Sequence, residues 1–307
     1  MKKIKQIILM IGIITMNAAC ASTDYNQPLY SLEFKIYGTG AEIRLNDIPI
    51  HSQSAQGETS SQKPIPESIL DGENILTVKS FPLDKDSNKY EENAYIEATI
   101  TIREKDAPLN QNKPVLQLKI NPNNPDNSLF NGTLSEIGDT KEIILTRNDK
   151  QILVERRTNI KSPFPRWAWQ DGLTIENNTE NFDSLLEEYK KIWLALNSNE
   201  IKNVTPLYDL AAQEFATAYH YNDKQQGHRI MNTGGLIGDD EWKLGSIDNF
   251  LKKFTYHIEI HANGKMAQLI DEKNRSPIVY LSRKAKIINV QKFSFYKNKN
   301  NEWMMIR

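Results

Sequence analysis

The histidines are the residues of this sequence that most invite a metal-binding interpretation. There are five of them: His51, His220, His228, His257 and His261. His257 and His261 have the i,i+4 spacing of a helical zinc site, but the sequence lacks the glutamate of the H-E-x-x-H motif and alternates there as a strand does. Four residues of strand span about 13 Å, too far for two ligands of one metal. We therefore predict ordinary sheet positions and no metal site.

A glycine-rich segment, Thr233–Gly238, is the other motif-like feature of the second half. A phosphate-binding loop would need a preceding strand and a following Lys-Ser or Lys-Thr, and neither is present. The sequence also has no Gly-x-Ser-x-Gly motif, and no spacing of acidic residues singles out a pair for glycoside hydrolysis. We expect a mobile loop here, and no cofactor.

The densest aromatic cluster is Pro163-Phe-Pro-Arg-Trp-Ala-Trp169. Tryptophan and arginine are enriched in binding hot spots, so Arg166, Trp167 and Trp169 are the candidate binding surface, for a protein or a glycan. The alternative is that the two tryptophans lie on the same face of a strand and pack a contact between domains.

Composition and charge narrow the classes of function. The chain has 307 residues, enough for two domains, with 39% hydrophobic and 25% charged residues. Its formal net charge of −1 gives no long-range attraction for nucleic acid. The single cysteine excludes an internal disulfide framework and a zinc site built on thiolates.

The pattern of residues 1–19 predicts an export signal. A basic start with Lys2, Lys3 and Lys5 precedes an uncharged stretch of ten residues, 7–16, and small residues follow it. Ten helical residues rise only about 15 Å, roughly half the thickness of a bilayer core. We therefore predict a cleaved signal and no permanent membrane span.

Cys20 stands directly behind Ala18-Ala19, an arrangement that resembles the lipobox of bacterial lipoproteins, although Asn17 occupies a position that is usually aliphatic. The resemblance implies removal of residues 1–19, acylation of Cys20, and a polar tether over 20–29. Two acyl chains would hold the protein at a membrane. Ala21, rather than Asp, implies the outer membrane, with the chain facing the periplasm. The alternative is ordinary secretion, with cleavage after Ala19 or Ala21.

Residues 30–122 read as an all-β domain. Leu32, Phe34 and Ile36 alternate with polar residues, and similar alternation recurs over 95–102 and 115–120 between turn signals. This pattern predicts a β-sandwich. The turn signals in AEIRLNDIPI and LDGENILTV resemble those of small Ig-like or jelly-roll domains.

Residues 123–175 are expected to form a hairpin and a junction. The segment starts in a run of asparagine and proline, 121–127, that suits a linker. Residues 141–146 and 151–156 then flank a polar turn, which predicts a hairpin. It either closes the sandwich or forms a bridging sheet.

Residues 176–307 read as an α+β domain. An apolar stripe over 182–196 predicts a four-turn helix capped by Asn181, and further helices are expected over about 207–218 and 247–254. Thr205 and Pro206 either cap the second helix or kink a longer one that begins near Glu200. Strands are predicted over 255–261, 265–271, 277–282, 286–296 and 302–307, with a type I′ turn at Asn263-Gly264.

Helices followed by antiparallel strands, with ALNSNEIKNVTPLY early and FSFYKNKNNEWMMIR at the end, resemble the NTF2-like (cystatin-like) cone of helices on a curved sheet. The overall fold class is then α+β. In enzymes of that family a His or Asp with a Tyr at the mouth of the cone can act as acid or base, which points to His220 with Asp223. The alternative for both is a solvated helix end.

The sequence thus favours a non-enzymatic envelope lipoprotein that binds another protein, and in a narrower form an immunity protein that neutralises a periplasm-acting toxin. The other hypotheses are a glycan- or peptidoglycan-binding module and, less favoured, an NTF2-like hydrolase or isomerase.

Overall fold

The structure is a computed structural model that describes residues 25–54, 56–84, 89–124, 140–148 and 151–307, the segment 140–148 as backbone only. The predicted signal, Cys20 and most of the tether lie outside the described residues. So does part of the predicted linker. The described chain is mixed α and β, with four antiparallel sheets, and its N-terminal half is built of strands.

The first half contains nine strands among the described residues. They are β1 (Pro28–Tyr37), β2 (Gly40–Leu45), β3 (Ile48–Gln53), β4 (Thr59–Pro64), β5 (Gly72–Phe81), β6 (Tyr95–Glu104), β7 (Lys113–Ile120), β8 (Thr140–Asn148) and β9 (Gln151–Ile160). The first sheet has the order β4-β1-β6-β7 and the second the order β3-β2-β5-β9-β8. Side chains from both sheets form one hydrophobic core.

The alternation predicted for these strands is confirmed. Leu32, Phe34 and Ile36 of β1 are buried, whereas Lys35 points to solvent. Burying such a side chain contributes about 2 kcal/mol, and a register slip by one residue would expose the whole row.

The two turns that contain Asn46 and Asn74 contact each other. Asn46 adopts a left-handed backbone (φ 54°) in the β2–β3 turn, and its side-chain amide donates to Asn74 Oδ1 at 2.9 Å. Asn74 also accepts from the Leu70 amide at 2.9 Å and donates to the Leu70 carbonyl at 2.8 Å. Both asparagines are buried, so the contacts satisfy polar groups that would otherwise be costly.

The β8–β9 hairpin belongs to the second sheet. β9 pairs antiparallel with β5 from Gly72↔Ile160 to Ser80↔Ile152. Ile152, Val154 and Ile160 are buried in the shared core. Of the two arrangements that the sequence left open, the hairpin therefore extends the β-half.

The second half begins with helices: α1 (Thr179–Asn197), α2 (Ile201–Val204), α3 (Asp209–Ala218), α4 (Lys224–Ile230) and α5 (Ile247–Lys253). The predicted long helix is α1, but its cap is Asn178, whose side chain accepts from the Asn181 amide at 2.8 Å. The expected cap, Asn181, instead donates to the Glu176 carbonyl from the first turn. A 3-10 helix, Thr205–Tyr208, joins α2 to α3, so Pro206 interrupts a helical run that starts just after Glu200.

The strands that follow are β10 (Trp242–Leu244), β11 (Tyr256–His261), β12 (Met266–Asp271), β13 (Ile278–Ser282), β14 (Ile288–Gln291), β15 (Phe295–Lys297) and β16 (Trp303–Met305). They form a third sheet, β11-β12-β15-β16, and a fourth, β10-β13-β14. The predicted strand 286–296 is in fact two, because the chain leaves the fourth sheet after Gln291 and enters the third at Phe295.

Helix α1 packs on the third sheet. Buried Tyr189 donates its hydroxyl to the Phe293 carbonyl at 2.8 Å and accepts from the Leu269 amide at 3.1 Å. The turn between β11 and β12 is wider than the expected type I′ turn. Ala262, Asn263 and Gly264 all have positive φ, and the last paired residues are His261 and Met266.

The two halves are joined by direct contacts. The shared core of the first half continues into Ala218, Met266 and Ile306 of the second. The amide of Asn263 donates to Asp47 Oδ2 at 2.9 Å, which holds the β11–β12 turn against the β2–β3 turn. Arg44 Nη2 reaches Glu259 Oε1 at 2.7 Å across the same contact.

Candidate functional site at the junction of the halves

The predicted binding residues lie at this junction, just after β9. Trp167 is 1% exposed, and its indole Nε1 donates to the Ile69 carbonyl at 2.9 Å. Trp169 is 4% exposed and lies within the short 3-10 helix Ala168–Asp171. Arg166 is exposed, and its Nε donates to Asp171 Oδ1 at 2.7 Å.

The expected aromatic binding surface is therefore corrected. Neither indole reaches the surface, since both belong to the shared hydrophobic core, and of the three residues Arg166 alone remains accessible. After Trp167 the segment forms a helical turn and not a strand. The backbone amide of Trp167 donates to Gln170 Oε1 at 2.8 Å and so helps to close this turn. Phe164 packs beside Trp167, with ring centroids 5.6 Å apart.

A largely buried ion pair adjoins the segment that carries the tryptophans. Arg307 Nη1 donates to Glu214 Oε2 at 2.9 Å, and Arg307 Nη2 donates to the Glu67 carbonyl at 2.6 Å. The second carboxylate oxygen of Glu214 accepts from the Ala168 amide at 2.8 Å. The pair thus ties Arg307 to α3, to the junction segment and to the β-half.

Burial shifts the acid–base behaviour of this region. Burial raises the pKa of the fully enclosed Glu67 carboxyl, although the positive charge of Arg307 opposes the rise. Burial, with the charges of Arg44 and Arg307 added, lowers the pKa of His261 to about 3, so its ring is neutral at physiological pH. In the described part of the chain, no hydrogen-bond partner reaches Glu67 Oε2 or His261 Nδ1.

Sequence reasoning missed Glu67, Glu214, Arg307 and the buried state of His261. One signal was available, because Glu214 lies on the apolar stripe of the second helix, three residues after Ala211 and four before Ala218. A charged residue on such a stripe points to a buried partner. The partner itself, Arg307, is 93 residues away and could not be read from spacing.

An open cleft of about 460 Å³ lies beside this junction. Its lining is mostly amide, hydroxyl and aromatic: Asn26, Gln27, Phe164, Gln213, Thr217 and Tyr221. Such groups donate to and accept from peptide or hydroxyl groups of a bound molecule. The cleft lies where the chain enters β1, and Asn26 and Gln27 of its lining belong to the predicted tether.

The predicted acid–base pair does not form in the cleft. His220 contributes to the wall, but its ring Nε2 contacts the Pro28 carbonyl at 2.9 Å. Asp223 caps α4, accepting from the Gln225 amide at 2.8 Å. The two side chains therefore serve different neighbours, and the suggestion of a joint catalytic role is corrected.

A different histidine does meet an acid. His228 Nε2 lies 3.0 Å from Asp209 Oδ1, and His228 Nδ1 lies 3.2 Å from the Thr233 hydroxyl. The hydrogen bond from Lys224, with a smaller contribution from His228, lowers the pKa of Asp209. These contacts join the ends of α3 and α4 to the start of the glycine-rich segment.

The other histidines and the glycine-rich segment do not line the cleft. His257 is exposed on β11 and His261 is buried at its end, whereas His51 stacks on Phe34 with ring centroids 4.2 Å apart. The glycine-rich segment forms consecutive turns, and the Gly238 amide donates to Asn199 Oδ1 at 2.9 Å. Among the described residues, no group of three His, Cys, Asp or Glu side chains is placed to hold a metal.

Among the helices that the structure describes, none has the length and hydropathy needed to cross a bilayer. No protein-family model matches the chain, and neither a curated protein nor a solved structure matches it significantly.

Proposed function

We propose that the protein is a non-enzymatic bacterial lipoprotein that binds another protein at the cell envelope. Acyl chains on Cys20 would hold it at the outer membrane, facing the periplasm. The observation that carries the proposal is the position of the only cysteine, directly behind a basic start, an apolar stretch and Ala18-Ala19.

The junction supports binding as the role of the folded part. The buried Arg307–Glu214 pair, the shared core and the packed tryptophans join the halves, so the surface that crosses them has a fixed shape. The cleft on that surface offers amide and hydroxyl groups next to the predicted tether. A preorganised surface of this kind favours association with a protein, because little conformational entropy is lost on binding.

For the fold we propose an Ig-like or jelly-roll sandwich followed by an NTF2-like domain. The two sheets around one core support the first, and α1 packed on an antiparallel sheet supports the second. The narrower form of the function is an immunity protein that neutralises a periplasm-acting toxin. It rests on analogy with lipid-anchored immunity proteins and NTF2-like immunity folds.

The residues that we named for the alternative functions are either buried or bonded to separate groups. A glycan-binding module would need Trp167 and Trp169 at the surface, and both are buried. A hydrolase or isomerase would need His220 and Asp223 together, and they bond to separate groups. A protein partner therefore stays the first proposal.

Immunoprecipitation of the native protein from detergent-solubilised envelopes tests this proposal. We expect one envelope or toxin protein to be recovered in stoichiometric amount, and the Cys20→Ser variant to leave the membrane fraction. Deleting the gene should make cells sensitive to contact-dependent killing by siblings if the immunity form is correct. Recovery of no protein, together with unchanged killing, would contradict the proposal.

A further inference from the structure

The end of the β13–β14 hairpin combines exposed apolar and basic side chains. We call residues 281–288 the basic tip. Its apolar members are Leu281, Ile287 and Ile288, which are 38%, 53% and 49% exposed. Its basic members are Arg283, Lys284 and Lys286, all exposed. Single exposed apolar residues are ordinary, but three large ones within eight residues form a patch.

The hairpin holds these side chains outward. Leu281 and Ile288 are register partners on adjacent strands, which places them side by side. The Ser282 hydroxyl accepts from the amides of Lys284 and Ala285 at 3.2 and 3.0 Å, and so shapes the turn. The Arg283 amide donates to the Glu241 carbonyl at 2.7 Å, which fixes the turn to the segment before β10. The patch is therefore a formed surface.

The charges of the basic tip are not used inside the molecule. In the described part of the chain, no carboxylate lies within 4.0 Å of Arg283, Lys284 or Lys286. The neighbouring acids, Asp239, Asp240 and Glu241, are thus too far away to pair with them.

The lysines on the outer face of α1 behave differently. Lys190 pairs with Glu187 and Lys191 with Glu188, each at 2.7 Å. They have the same charge as the lysines of the basic tip, but the strongly exposed large apolar residue beside them is the single Leu194, where the tip has three. They therefore provide a matched control for charge substitutions.

We propose that the basic tip is the docking surface for an acidic surface of a protein partner. This inference rests on the proposed protein-binding function and names the chemistry of the partner. The apolar side chains would supply contact area, and the unpaired cations would steer and select a partner with carboxylates around an apolar centre.

The position of the basic tip favours a protein over an anionic bilayer, which basic and apolar patches also bind. The tip lies near the α1–α2 turn, since Glu241 holds Arg283 and nearby Gly238 bonds to Asn199. The chain enters the fold at the other end of the helical run 201–218, where Pro28 meets His220. The tip and the entry of the chain therefore lie near opposite ends of this helical run, so an anchor at Cys20 does not by itself bring the tip to the bilayer.

The test uses the purified chain that begins at position 20 and carries Cys20→Ser, so that no acyl chain contributes to vesicle binding, and it uses two probes. One is a fluorescent peptide of repeated Glu-Glu-Leu-Leu, with a Lys-Lys-Leu-Leu peptide as the charge-inverted comparison. The other is a vesicle of phosphatidylethanolamine and phosphatidylglycerol. Each probe is offered to the wild type, to Lys284→Glu with Lys286→Glu, and to the control Lys190→Glu with Lys191→Glu.

We expect the acidic peptide to bind the wild type and the control equally, with binding weakened by added salt, and to bind the tip variant about tenfold more weakly. The Lys-Lys-Leu-Leu peptide should not bind, and vesicles should sediment all three proteins equally little. Equal peptide affinity for the tip variant and the wild type would overturn the inference. Vesicle binding that only the tip variant loses would overturn it in favour of a lipid surface.

The immunoprecipitation is repeated with the tip variant to separate this inference from the proposed function. A partner that is recovered with the wild type and lost with the tip variant supports both. A partner that is retained by the tip variant leaves the protein-binding function standing and refutes the basic tip as its docking surface. Recovery of no partner with either protein counts against the proposed function, while the peptide assay still decides the chemistry of the tip.

Discussion

At the scale of single residues, His261 shows how burial sets a charge state. Its side chain is 0% exposed at the end of β11, and its Nε2 lies 3.2 Å from the Ser294 hydroxyl. Protonation there would place a positive charge in the interior, near the guanidinium groups of Arg44 and Arg307. The pKa of His261 is accordingly lowered to about 3, from an ordinary value of 6.5.

This shift predicts a loss of stability in mild acid. Above pH 6.5 the His261 ring is mostly neutral in both the folded and the unfolded protein. As the pH falls below 6.5, the ring becomes protonated in the unfolded chain but stays neutral in the folded protein down to about pH 3. Between pH 7 and pH 5 the His261 contribution to the free energy of unfolding should fall by about 2 kcal/mol. Urea unfolding of the wild type and of His261→Gln at both pH values measures the difference. An identical pH dependence of the two proteins would contradict the charge state assigned here.

The residues of the candidate site were only partly predictable from the sequence. The sequence identified Arg166, Trp167 and Trp169 as an aromatic and basic cluster. Whether an indole is buried depends, however, on which residues pack against it. The hydrogen-bond partner of the Trp167 indole, Ile69, lies in a segment nearly a hundred residues earlier. The resemblance to NTF2-like enzymes suggested His220 with Asp223, whereas in the fold Asp209 of α3 contacts His228 of α4. Partner choice between remote segments is not encoded in short-range spacing.

At the scale of elements, helix α4 depends on one glycine. Gly227 is buried where α4 crosses α3, and a Cβ at this position would lie 1.7 Å from the Ala212 carbonyl oxygen. The two backbones therefore approach more closely than any larger residue allows. Glycine normally weakens a helix by about 1 kcal/mol relative to alanine, so its presence here reflects packing.

Gly227→Ala should therefore destabilise the protein, although the same change stabilises an ordinary exposed helix. We expect the free energy of unfolding to fall by about 2 kcal/mol, because the helices must separate to admit the methyl group. Exposed Gln225→Ala is the control on the same helix and should change it by less than about 0.5 kcal/mol. Thermal and urea unfolding measure both variants. A stabilised Gly227→Ala protein would refute the close crossing.

Elements with strong periodicity were the predictable part of the fold. The alternation of β1 and the apolar stripe of α1 appear in the structure because one face of each is buried against a core. Helix α4 went unpredicted, because KQQGHRI has no apolar stripe and the helix is held by contacts with α3. The predicted strand 286–296 forms two strands that belong to different sheets. Alternation of apolar and polar residues predicts a strand, but the sheet that the strand joins is decided by tertiary contacts.

At the scale of the whole molecule, the two halves share their stabilising interactions. Trp167 lies in the core of the β-half and adjoins the ion pair of Arg307 and Glu214 through the Ala168 amide. Composition indicated two domains and a junction, and it could not show that the junction is buried, because the contacts join residues far apart in sequence.

Removing the Trp167 side chain should weaken both halves together. We expect Trp167→Ala to lower the free energy of unfolding by about 4 kcal/mol and to keep a single transition. Hydrogen exchange should quicken both in β5 and in β12. The neighbouring exposed Arg166→Ala serves as the control and should stay within about 0.5 kcal/mol of the wild type. Faster exchange confined to one half would show that the halves are independent.

We propose above all that the folded chain acts outside the cytoplasm while acyl chains on Cys20 hold it to a membrane. The intact mass of the native protein, extracted from membranes and combined with sequencing of its N-terminal peptide, tests it most directly. We predict a chain that lacks residues 1–19 and begins at Cys20 with acyl groups added. A chain that retains Met1, or one whose cysteine is unmodified, would contradict the claim.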